Sequence, residues 1–266
     1  MDLSHFDMRN VIYMNYMFDD CSLESINLKN IKAENVVEMD SMFRWCKNLK
    51  SVDFESFVTP KLRVIANLFL YCYSLNEIKN FNLNTTNVEN FQRVFSECNS
   101  LKRLDLSKLD TRNAKTMKNM FNDCNSLTHL DISNFDTTSV TDMDDMFCRC
   151  SSLKSLDLEH FNTKHLNTMN SMFYECESLS RLDINFIRAK VRYMASVFGG
   201  CKSLTSINLR NWRTERVKYM YGMFSDFWSL TSLDLSSFST VNVESTAHMF
   251  YNCKSLKILD LRSCDL

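Results

Sequence analysis

A phenylalanine recurs ten times along this chain, at steps of 25 or 26 residues: Phe18, Phe43, Phe69, Phe95, Phe121, Phe147, Phe173, Phe198, Phe224 and Phe250. Three residues later stands a cysteine in nine of the ten copies, at Cys21, Cys46, Cys72, Cys98, Cys124, Cys150, Cys176, Cys201 and Cys253; the ninth copy carries Phe227 instead. A unit this short cannot enclose a core by itself. It buries its apolar face only by stacking on the units before and after it, which is the definition of a solenoid. The expected fold class is α/β: one continuous repeat domain over residues 1–266, of about ten rungs of 25–26 residues, each a short parallel strand plus a short helix.

Within the reference unit, residues 127–152, apolar residues fall at Val140, Met143, Met146, Phe147 and Cys150. Steps of three, three, one and three mark one face of a short helix. Ser139 precedes that stretch, as Asn10, Asn35, Asn87, Asn113 and Asn242 do in sister copies, and each is a candidate N-cap. The next unit's strand carries Leu153, Leu156 and Leu158; the last two lie two residues apart, so both face inward and Asp157 faces out. A further apolar column runs through Phe57, Leu83, Leu109, Phe135, Phe161, Ile187, Trp212 and Phe238, and a threonine column through Thr59, Thr85, Thr111, Thr137, Thr163, Thr214 and Thr240. Strands pair about 4.8 Å apart, whereas helices approach no closer than about 8–10 Å, so a curved stack with the sheet on its concave face is expected.

The pattern L-x-x-L-D-L-S-x-F-D-T-x-x-V-x-x-M-x-x-M-F-x-x-C-x-S-L is clearest at Leu104–Leu127 and Leu130–Leu153. It resembles the bacterial surface protein 26-residue repeat, within the BspA-like leucine-rich repeat surface protein group. The resemblance covers essentially the whole chain. It implies a right-handed leucine-rich-repeat-like solenoid, a cell-surface or secreted location, and adhesion or binding of host proteins. An apolar column replaces the usual Asn after the strand, so the details of the ordinary horseshoe do not carry over.

Composition narrows the function classes. Net charge is −1, which argues against nucleic acid or an anionic membrane as a partner. Charges interrupt every apolar run well short of a membrane span. The segment MDLSHFDMRNV lacks the basic and apolar regions of a signal peptide, so the chain taken literally is cytoplasmic. The chain starts and ends within a repeat, with no clear capping unit. That pattern suits an excerpt of a longer array, or end-to-end self-association. No nucleophile elbow, zinc-protease, P-loop or dinucleotide fingerprint is found, and the five histidines, His5, His129, His160, His165 and His248, share no column. A strict repeat offers no unique catalytic constellation, so no enzyme activity and no cofactor are expected.

Each candidate group has a packing reading beside its functional one. The cysteines read as a reduced core ladder, because they lie a full repeat apart rather than as C-x-x-C pairs; disulfides and a metal are the alternatives. Cys148 is off register and is expected to be more exposed. The methionine columns read as core rather than as a copper site. The outward strand position holds Asn27, Asp53, Lys79, Asp105, Asp131, Asp157, Asp183, Asn208, Asp234 and Asp260. Like charges on adjacent strands repel by about 1 kcal/mol per pair even in water, so something must offset Asp105, Asp131, Asp157 and Asp183. The options are local serines and backbone N–H groups, Arg103 and Arg181 two positions before their Asp, a cation such as Ca²⁺, or a basic protein segment. With Trp228, in the irregular run Ser225-Asp226-Phe227-Trp228, these residues are the candidate partner-binding set; Trp45 and Trp212 are further unique aromatics. The expected function is a non-enzymatic protein-interaction or adhesion array, with a structural spacer of a larger surface protein as the alternative.

Overall fold

A computed structural model of the chain describes residue 3, residues 6–184 and residues 190–264. His5 and Ile187 lie outside the described residues. Seven short strands are present: β1 (Ser25–Asn27), β2 (Ser51–Asp53), β3 (Glu77–Lys79), β4 (Ser155–Leu158), β5 (Arg181–Ile184), β6 (Ser232–Asp234) and β7 (Ile258–Asp260). They pair in parallel as β1-β2-β3, β4-β5 and β6-β7, each in a register of one repeat, as in Ser25↔Ser51↔Glu77 and Leu156↔Leu182.

The ten phenylalanines form one continuous stack through the core, with ring centroids 5.4–6.0 Å apart and ring planes within 16° of parallel. The Met143, Met146, Val140 and Leu153 columns pack around it, fully buried in the inner rungs. Irregularity is absorbed locally. Asn80 takes a φ of 52° where other rungs hold an inward apolar residue, and this turns Phe81 into the core, edge-on to Phe54 and Phe95.

The expected short helix does not form: no helix occurs among the described residues. The segment that carries the apolar steps is instead a string of β-turns. Met146, Cys148 and Cys150 each donate their N–H to the carbonyl three residues back, at 3.1–3.2 Å. The intervening N–H groups of Met143, Asp145, Phe147 and Arg149 donate to Thr168, Asn170, Met172 and Tyr174 of the next rung, at 2.7–3.1 Å. Asp145 and Arg149 have φ of 55° and 58°, and a positive φ at the third residue of a turn is the mark of type II. Both conformations recur in every rung, two before and two after the Phe, from Tyr16 and Asp20 to His248 and Asn252. An L-residue in the left-handed region breaks an α-helix, so the chain satisfies its backbone groups between rungs instead.

Two further expectations change with it. Three of the asparagines placed as N-caps are rung clamps: the amides of Asn35, Asn113 and Asn242 donate at 2.7 Å to carbonyls of Arg9, Thr86 and Glu215 in the preceding rung. The wedge that was to curve the stack is also missing, because the turn side is laddered from rung to rung like the strand side. The threonine column works as a second clamp. The hydroxyls of Thr85, Thr111, Thr137 and Thr214 are buried and bond both the N–H and the carbonyl of the residue 25 positions on, at 2.7–3.1 Å.

Candidate interaction surface

The strand face presents the outward Asp column. Parallel register sets Asp157 beside Asp183 and Asp234 beside Asp260. Local groups offset the repulsion. The Oδ1 atoms of Asp53, Asp105, Asp131, Asp157, Asp234 and Asp260 each accept the backbone N–H two residues on, at 2.9–3.1 Å. This is the Asx-turn that short carboxylates favour after a strand. The Ser107 N–H beside Asp105 and the Ser133 N–H and hydroxyl beside Asp131 hold these carboxyls below the usual range, so both are ionised at neutral pH. Asn27 and Asn208 make the same turn through their own Oδ1, so the geometry needs the oxygen and not the charge.

The two arginines behave differently. Arg181 pairs with Asp183 at 2.7 Å. Arg103 forms no ion pair with a carboxylate among the described residues, so its expected pairing with Asp105 is not seen. A cleft of about 210 Å³ opens on this face between Asp131 and Asp157, flanked by His129 and His160. His160 bonds the Ile132 carbonyl through Nε2 at 3.1 Å. The two histidines lie on adjacent rungs in different columns, which is why the column reading passed over them. Among the described residues, no group of three His, Cys, Asp or Glu is arranged to hold a metal ion.

The turn edge carries the aromatics. Trp228 is partly exposed, with the ammonium groups of Lys202 and Lys254 over its ring at 4.7 and 4.3 Å. Trp212 is buried against Phe198, a packing residue. Trp45 is partly exposed and stacks on Tyr71 at 4.0 Å, with Tyr73 edge-on at 6.4 Å. The sequence reading singled out Trp45 and missed both tyrosines; aligning rungs on the Phe would have found Tyr71, directly above Trp45.

No disulfide joins any of the cysteines among the described residues. The ladder thiols from Cys46 to Cys201 are buried, each donating to the carbonyl of the Phe in the preceding rung at 2.9–3.4 Å. Cys148, expected to be exposed, is only 5% exposed, and burial pushes its thiol up to about 12. Its column, one past the Phe, also holds buried Leu70 and Ser96 but part-buried Asn122 and Tyr174 and exposed Tyr251, so burial there depends on the side chain.

Among curated proteins, none matches the chain. Solved structures that it resembles include a leucine-rich repeat protein of Treponema pallidum, 21% identical over 68% of this chain and 78% of that one, with a TM-score of 0.45. One from Eubacterium ventriosum is 16% identical over 88% and 73%, with a TM-score of 0.48. A leucine-rich cell surface protein of Faecalibacterium prausnitzii is 16% identical over 95% and 76%, with a TM-score of 0.39. None of these likenesses is close enough to transfer a ligand. The family model for a Mycoplasma protein of unknown function, DUF285, matches residues 1–104, 76–186 and 183–264. With its leucine-rich repeats stacked from one end to the other, the chain belongs to the DUF285 family.

Proposed function

We propose that this protein is a non-enzymatic interaction array whose strand face binds a basic segment of a partner protein, as an adhesion-type surface protein would. The observation that carries the reading is the row Asp105, Asp131, Asp157. Each carboxylate is fixed by an Asx-turn through Oδ1 and exposed, and the turn groups hold Asp105 and Asp131 ionised. Fixed, evenly spaced charge on a rigid surface lowers the entropy cost of docking an extended peptide. Asp183 extends the row with Arg181 as an exchangeable counter-ion, Arg103 and the His129–His160 cleft supply positions that differ between rungs, and Trp228 offers an anchor on a separate edge. Surface location belongs to the same reading. No helix among the described residues is long and apolar enough to cross a membrane.

The test compares the wild type with the triple variant Asp105→Asn, Asp131→Asn, Asp157→Asn, which keeps the turns that Asn27 and Asn208 already make. With a fluorescent oligolysine peptide as probe, the variant should bind at least about tenfold more weakly and with a flatter salt dependence, at unchanged melting temperature. Equal binding by both proteins overturns the reading. A spacer with no partner would show no saturable binding in either.

A further inference from the structure

On the turn edge, two residues past the Phe, the column runs Trp45, Tyr71, Glu97, Asp123, Arg149, Glu175 over consecutive rungs. Ladder bonds from Trp45, Tyr71, Glu97 and Asp123 to the rungs above fix this order in space. Three features set the lower half apart.

First, Trp45 and Tyr71 hold φ of 62° and 65°. Most other rungs place small or acidic residues there, such as Asp20, Asp123, Gly200 and Asn252. Second, Trp45, Tyr71 and Tyr73 form one aromatic cluster, with Tyr71 and Tyr73 centroids 6.0 Å apart and tilted by 53°. Third, the next residue up is Glu97, partly buried and in no ion pair among the described residues. Asp123 above it shares Arg149, at 3.6 Å, with Glu175, which holds the same guanidinium closer, at 2.9 Å. Burial, and then Asp123, push the Glu97 carboxyl up. Arg149 thus serves two of the three carboxylates, and the one left without a counter-ion stands one rung above Tyr71 in the same column.

The geometry points to a receptor for a cationic side chain of a partner protein: an arginine whose guanidinium lies on the Tyr71–Tyr73 rings and pairs with Glu97. Charge complementarity names the occupant. A partly desolvated carboxylate needs a cation, aromatic faces attract one, and a planar guanidinium satisfies both together better than an ammonium. The site rests on the interaction-array reading but lies apart from the strand face, so the two can fail separately.

The experiment titrates the full chain with an acetylated, amidated arginine dipeptide while Tyr71, Tyr73 and Glu97 side-chain signals are followed by NMR; lysine and citrulline analogues serve as controls. Saturable shifts confined to these residues are expected, weaker with lysine and absent with citrulline. Glu97→Gln and Tyr73→Ala should each weaken binding at least about tenfold, while the strand-face triple Asn variant binds as wild type. Glu97→Gln should also raise the melting temperature, because it removes an unpaired, partly buried charge. A structural role for Glu97 would lower it. Shifts that scatter over the surface, or full binding by Glu97→Gln, overturn the site.

Discussion

Raising the pH should unfold this protein through its own core. The thiols of Cys46, Cys72, Cys98, Cys124, Cys148, Cys150, Cys176 and Cys201 are all pushed up by burial, Cys46 to about 11 and Cys148 to about 12. An unfolded cysteine titrates near pH 8.5. A folded-state value above the unfolded one means stability is complete below about pH 8.5 and drains away as pH rises towards the folded value. Well inside that window each buried thiol removes about 1.4 kcal/mol per pH unit, and roughly 2 kcal/mol in total by about pH 10. Eight thiols together remove on the order of 16 kcal/mol, which exceeds the roughly 5–15 kcal/mol that holds a typical domain folded. Urea midpoints under reductant, taken at steps between about pH 8 and pH 10, should fall steeply, and thiolate absorbance should appear only with unfolding. Cys124→Ala should reduce the pH slope by about one proton. Midpoints that stay flat to about pH 10, or thiolates forming at ordinary pH in the folded protein, would refute the buried ladder.

The remaining predictions concern the stack and its clamps. Phe121→Ala deletes a ring with neighbours at 5.7 Å on both sides and should cost about 3–5 kcal/mol by chemical denaturation. Thr111→Val keeps the shape but strands the Asp136 N–H and carbonyl, for about 1–3 kcal/mol; Thr111→Ser should recover most of it. Gly222→Ala, at φ 59° and with Ser196 Oγ 3.0 Å from the added Cβ, should destabilise by about 1–2 kcal/mol. Arg93→Gly, at φ 53°, should instead be neutral to stabilising by up to about 1 kcal/mol in the same assay.

The Phe–x–x–Cys ladder, the inward leucines and the outward Asp positions were all legible in the sequence, because burial by stacking leaves a strict columnar trace. The helix was misread for a physical reason. A turn closed by an i→i+3 bond returns the chain to the core every three residues, so Val140, Met143 and Met146 carry the same spacing in a string of turns as on a helix. The discriminating signal was present two residues to either side of the Phe. Asn67, Asn119, Asp145 and Gly222 on one side, and Asp20, Asp123, Gly200 and Asn252 on the other, are residues that tolerate positive φ and that recur at fixed columns. The Asx-turns were anticipated as local offsets by serine and backbone N–H. The aromatic cluster was not, since its members occupy different columns, Trp45 and Tyr71 in one and Tyr73 in another, and meet only once the rungs are stacked.

Everything on the surface depends on how the rungs are joined, and through-hydrogen-bond couplings measured by NMR report that directly. The Phe147 N–H should couple to the Met172 carbonyl of the next rung, as should Asp145 to Asn170. Coupling of the Phe147 N–H to the Met143 carbonyl, four residues back, would restore the helix and contradict this arrangement.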